Sequence, residues 1–348
     1  MFTRRRLQIT MALTLLFAML ISATAANAQA VTLGGTATIR DASGSALGAS
    51  NSLVLALTDA PSAGVGFRYE GWLISSTGAK ISVGTFNGPS INGTWVSPTD
   101  ENLAAKYGQL VLTKEPVPDP DPATPGEAAF SATITAGVLG SFQSLLTSST
   151  STATGNGIAV ALHGQATVAS AHAVLSQSAS ALADKQSHAQ HVINAIDGLG
   201  APGDTVGILA YADDAKTQAV AAKANDADNT QVVAGANAVI AAADRVIDRA
   251  GLAKTNAQSV IAASSTGLLT DVAASNVSSL SGQMVSAAAD LYSAAQDMGA
   301  FVPASGAVVT PPSAGDELVP MIALLALAAG VIFTGGGFAM LRRRGAAA

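Results

Sequence analysis

The chain has 348 residues, a net charge of −6 and no cysteine. The lack of cysteine excludes disulfide staples and thiolate metal sites. Basic residues are scattered except at the two ends, which excludes a nucleic-acid-binding surface, and the length accommodates two domains.

Arg4, Arg5 and Arg6 open the chain, an apolar stretch covers 7–21, and small residues follow from Ser22 to Ala28. This succession predicts a signal peptide over 1–28, cut between Ala28 and Gln29 after the Ala26-Asn27-Ala28 motif. The remainder is then delivered outside the cytoplasm. Without disulfides it must hold together by packing or by a ligand.

Residues 29–115 read as a β domain. Short runs rich in Val, Ile, Thr and aromatics, separated by Gly, Pro, Asn and Ser clusters, predict strands over 31–40, 52–58, 67–75, 80–86, 92–96 and 109–114. The run Ser52-Leu53-Val54-Leu55-Ala56-Leu57-Thr58 is almost unbroken, which predicts a strand buried on both faces. Tyr69, Trp72 and Trp95 supply the large side chains for the core of a small antiparallel β-sandwich.

Several motifs in this stretch carry a resemblance. Tyr69-Glu70-Gly71-Trp72-Leu73-Ile74 is followed by Gly78, by Gly84-Thr85-Phe86, and by a closing run from Leu110 to Glu115-Pro116; Pro122-Ala123-Thr124-Pro125-Gly126 comes next. Over residues of about 50–126 the chain resembles the extracytoplasmic domain of anti-sigma-K factors. The resemblance implies a small β-sandwich. The cytoplasmic sigma-binding domain of that family has no counterpart here, so the resemblance implies a shared module on a different protein and carries no activity with it.

Residues 116–126, with prolines alternating through Pro116-Val117-Pro118-Asp119-Pro120-Asp121-Pro122, predict a semi-rigid linker. Beyond it, Ala, Ser and Val recur at helical spacing, and 127–300 reads as an Ala-rich all-α bundle or stalk. Candidate helices are 136–146, 157–182, 185–199, 212–225, 231–263 (with a kink near Gly251) and 268–298; 128–134 also suits a strand. Val232, Ala236, Val239, Ile240, Ala243, Val246 and Ile247 mark one buried face. Alanine lets helices approach closely but buries little area per residue, so stability must come from many small contacts.

All four histidines, His163, His172, His188 and His191, fall in this half. His188 and His191 share a helix face at i, i+3, the spacing of a transition-metal pair, with His172 or Asp184 as a third ligand. A hairpin turning near Asp184 puts His172 and His188 in poor register, which counts against the three-histidine version. The bland alternative is hydrogen-bonded histidines on half-buried faces. The glycine-rich stretch Asp197-Gly198, Gly200, Pro202-Gly203-Asp204 and Gly207 reads as an interhelix loop, with ligand binding as a further possibility. No nucleophile–base motif is present, so no catalytic residue is assigned.

Residues 301–317 lack periodicity and read as a tether. The 24 residues 318–341 carry no charge and end at Arg342, Arg343 and Arg344. That is long enough for a hydrocarbon core of about 30 Å, and the arginines act as a cytoplasmic stop-transfer signal leaving 342–348 inside. The resulting expectation is a multidomain α+β protein at the plasma membrane, single-pass with the bulk outside the cytoplasm. Its β-sandwich would be distal, raised from the bilayer by the helices. Its role would be binding, sensing or structural, without catalysis or a cofactor, through a protein or cell-envelope partner. The alternative is a metal- or haem-binding protein built on the helical histidines.

Overall fold

Residues 33–304 are described by the computed structural model. The signal peptide with its Ala28–Gln29 cleavage point, residues 305–317 of the tether, the span 318–341 and Arg342, Arg343 and Arg344 lie outside the described residues.

The β region begins with β1 (Gly34–Arg40), β2 (Ser52–Thr58), β3 (Phe67–Ser75), β4 (Lys80–Phe86) and β5 (Ile91–Val96). A single helical turn, α1 (Leu103–Lys106), precedes β6 (Tyr107–Pro116) and β7 (Glu127–Thr133). They form two antiparallel sheets, ordered β1-β2-β5 and β4-β3-β6-β7. In β2, Leu53, Leu55 and Leu57 are buried while Ala56 and Thr58 are exposed. Burial on both faces is therefore corrected to burial on one, because the outer face of a three-stranded antiparallel sheet meets solvent. Tyr69 and Leu73 join the core, with Tyr69 edge-on to Phe130 of β7 at 6.0 Å. Trp72 and its cross-strand partner Val111 are buried outside that core, on the other face of the larger sheet.

Two expected boundaries move. Residues 116–126 are the return of a hairpin and not a spacer: Glu127 pairs with Lys114, and the Gly126 N–H donates to Glu115 Oε1 at 2.7 Å. The helical region consequently starts at Ala136, after β7, and not at 127. The tether also loses its first residues. Phe301 and Ala37 exchange backbone hydrogen bonds, as do Ser131 and Ala304, and Leu33 N–H donates to Pro303 O at 3.0 Å. Residues 301–304 thus run between β1 and β7 and stitch the two sheets together. Both ends of the described chain leave from this seam.

The helices are α2 (Ala136–Leu146), α3 (Ile158–Ser178), α4 (Leu182–Asp197), α5 (Gly207–Asn225), α6 (Thr230–Ile261) and α7 (Leu268–Met298). The two longest, α6 and α7, pair as an antiparallel hairpin. α6 runs unbroken through Gly251. Its buried face is Val232, Gly235, Ala236, Val239, Ala243 and Val246, continued by Ala250, Ala253, Ala257 and Val260. Gly235 marks the closest approach: a Cβ there would stand 2.5 Å from Met298 Cα. Among the described residues only α3 is long and apolar enough to cross a membrane. Its inward face of Ile158, Ala159, Leu162, Ala166, Ala169 and Ala173 is buried in the bundle core.

The apolar core runs from the sheets into the bundle without a break. A polar clamp reinforces the junction. Arg40, at the end of β1, donates to Gln296 Oε1 at 2.8 Å and pairs with Asp297 near the end of α7. Tyr292 donates to Asp41 at 3.0 Å and accepts from the Gly48 N–H at 3.0 Å. Burial, followed by the Asp41 charge, pushes the Tyr292 phenol well above its ordinary pKa.

Candidate metal centre

The hairpin of α3 and α4 positions three of the four histidines. α3 stops at Ser178, residues 179–181 turn, and α4 starts at Leu182. His172 and His188 are 16 residues apart, and Ser180, in the turn, is their midpoint. They therefore face one another across the two antiparallel helices. The expected turn at Asp184 lay too far along the chain, and with it the poor register falls away. The run Ser176-Gln177-Ser178-Ala179-Ser180 held the signal, since serine competes for backbone hydrogen bonds and favours helix ends.

Lys185 locks this turn. Its ammonium is buried and donates to Gln177 O at 3.1 Å, satisfying an orphan carbonyl at the end of α3, and it pairs with Asp271 Oδ1 of α7 at 3.1 Å. Ser176 Oγ donates back to Lys185 O at 2.8 Å. Gln186 then binds the end of α6, donating to Ile261 O at 2.8 Å and Ala263 O at 2.9 Å. The histidine-bearing hairpin is thereby fixed to both long helices.

His172 Nδ1 stands 3.1 Å from His188 Nδ1 and 3.3 Å from His191 Nδ1. Ligand nitrogens of all three residues lie within 4.8 Å of one another, and the three rings are half-buried. A neutral imidazole nitrogen offers one lone pair or one N–H. His172 Nδ1 therefore serves two such neighbours poorly by hydrogen bonding. A cation accepts all three lone pairs at once. Metal–nitrogen bonds of about 2.0–2.1 Å in a tetrahedron place ligand nitrogens about 3.3–3.4 Å apart, close to the two shortest spacings seen. Burial, and then the fields of His191 and His188, lower the His172 pKa and favour the neutral ring that ligation requires.

Axial nitrogens on opposite faces of a haem stand about 4 Å apart, so a bis-histidine haem does not fit between the two Nδ1 pairs at 3.1 and 3.3 Å. Asp184 is exposed in the first turn of α4 and outside the converging group. His163 is also outside it, with its pKa lowered by burial.

The glycine-rich loop is a pair of helix caps. Gly198, at φ 73°, ends α4 with its N–H on Asn194 O at 2.9 Å. Asp204 accepts from the Val206 and Gly207 N–H groups at 3.0 Å each, opening α5, and takes a further hydrogen bond from Tyr211. Burial is the main reason that the Tyr211 phenol is pushed up to about 12. Asp197 pairs with Lys254 at 2.6 Å. Every polar group named here is used within the fold.

Sequence reasoning missed a buried polar strip on the larger sheet. Glu115 accepts from Thr113 Oγ1 and the Gly126 N–H, Glu70 from Ser82 Oγ, and Trp72 Nε1 donates to Thr113 Oγ1 at 3.0 Å. The i, i+2 spacings Glu70/Trp72 and Thr113/Glu115 place these residues on one face. The groups named here all find hydrogen-bond partners within the strip, although Arg68 Nε, on the same face opposite Glu115, is buried without one.

No family model, curated protein or solved structure matches the chain.

Proposed function

We propose that this is an exported protein, held by a single C-terminal span, that binds one divalent transition-metal ion outside the cytoplasm at His172, His188 and His191. The observation that carries the metal reading is the convergence of three imidazoles from two helices, with one nitrogen, His172 Nδ1, at 3.1 and 3.3 Å from two others at once. The location rests on the sequence: a signal peptide over 1–28, and a span over 318–341 stopped by Arg342, Arg343 and Arg344. The two sheets form a small β-sandwich similar to the extracytoplasmic module of anti-sigma-K factors. The described chain leaves the sheet seam at Ala304 on its way to the span, which supports a β region on the bilayer side with the α6–α7 turn away from it, where the sequence alone supported a distal β-sandwich. The role is metal capture or sensing at the envelope, without catalysis and in concert with a protein or cell-envelope partner.

Elemental analysis and calorimetric titration of the full chain in mild detergent test the reading. One Zn2+ or Cu2+ per chain is expected, with binding lost in the H188A/H191A double variant. A parent chain that takes up no ion, or a double variant that binds as tightly as the parent, refutes it.

A further inference from the structure

We infer that the bound ion keeps one coordination position open to solvent and takes small anions there, so that the triad is a ligand-accepting centre and not a structural staple. The inference rests on the metal reading above and concerns the part of the coordination sphere that the protein leaves unfilled.

Three observations converge on it. The first is the number of donors. A structural zinc site closes with four protein ligands, whereas a site with three and a free position exchanges water or substrate. Among the described residues, the group of converging histidine, cysteine, aspartate and glutamate ligand atoms contains His172, His188 and His191 alone. The second is exposure. All three histidines are half-buried, although Ala173, Ala189 and Val192 beside them are fully buried. The triad thus sits at the rim of the α3–α4 groove, with one side towards the core and the other towards water.

The third is charge. Three neutral imidazoles leave the full double charge of the ion uncompensated. The charged side chains flanking His188 on α4 do not correct this: Asp184 is exposed outside the group, and Lys185 is a cation already committed to Asp271 and the end of α3. An uncompensated metal charge draws an anion to its open position. It also lowers the pKa of a bound water to about 7. Near neutral pH the open position then exchanges among water, hydroxide and small monovalent anions such as azide, thiocyanate or a carboxylate.

Cobalt(II) tests this on the full chain in detergent. It takes the ligands of zinc and reports coordination number and ligand exchange in its visible absorption. One equivalent of Co2+ is expected to give visible bands. Their position and intensity should then change saturably as sodium azide is added. His172→Ala and His188→Ala, checked for intact helix content by circular dichroism, should reduce both signals to background. Cobalt bands that azide does not move overturn the open position while leaving the metal reading intact. A chain that gives no cobalt bands overturns both. Azide-responsive bands that survive in His172→Ala place the ion elsewhere and also overturn the inference.

Discussion

Gly235 and Gly251 lie in the same helix, and the structure assigns opposite outcomes to the same substitution at the two. At Gly235 a new Cβ would meet Met298 Cα at 2.5 Å, its N at 2.7 Å and its Cβ at 2.8 Å. Two of these are backbone atoms at the end of α7, a stretch also held by the Arg40–Asp297 pair and by residues 301–304. A side chain cannot swing aside to make room, so α6 and α7 must separate by about 1 Å, and overpacking of this kind costs about 1–3 kcal/mol. The helix-propensity gain of alanine over glycine returns about 1 kcal/mol. Gly235→Ala should therefore destabilise by up to about 2 kcal/mol, a fall in Tm of up to roughly 8 °C for a domain of this size. A Cβ on Gly251 meets nothing within 4 Å, so Gly251→Ala should stabilise by up to about 1 kcal/mol. Urea and thermal unfolding of both variants, followed by far-UV circular dichroism, read the difference. If Gly235→Ala is as stable as Gly251→Ala, the close approach of α6 to α7 is refuted.

Acid should weaken the fold through His172. Its folded pKa lies below the ordinary value of 6.5, so the unfolded chain takes up its proton first as pH falls. The stability it supports is complete above pH 6.5 and declines as pH drops from there towards the folded pKa; metal-free His172→Gln should show a shallower decline in denaturant melts at pH 5–7.5. Lys185→Met removes the donor at the end of α3 and leaves Gln177 O unpaired, for about 1–3 kcal/mol. Asp271→Asn should cost under about 1 kcal/mol, because Asp271 is largely exposed; equal losses in urea melts of the two variants would contradict the capping role. Phe301 is 1% exposed, and Phe301→Ala should cost about 3–5 kcal/mol in the same assay, whereas a mere tether residue would cost nothing.

What the sequence disclosed was whatever repeats locally. Leu53, Leu55 and Leu57 announced β2, and the Val232-to-Val246 pattern announced the inward face of α6. What it concealed depended on distant partners or on weak punctuation. Residues 301–304 bridge the two sheets only because β1 and β7 present open edges, and no local pattern encodes a partner so far away. The start of α5 at Gly207, and not at 212, follows from the Asp204 cap, which lies before the apolar periodicity begins. In the candidate site the pairing of His188 with His191 was legible as helix spacing. Bringing in His172 required knowing where the turn falls, and an Ala–Ser stretch continues the helical period across residues 179–181 almost unmarked.

The seam formed by residues 301–304 also has a mechanical meaning. In a chain fastened beyond Ala304, traction arrives first at five backbone hydrogen bonds, to Leu33, Ala37 and Ser131, and at the Phe301 ring wedged beneath them. The load is spent on peeling a short ribbon from between two sheets. The histidine hairpin, tied to the far ends of α6 and α7, is sheltered until that ribbon has come away.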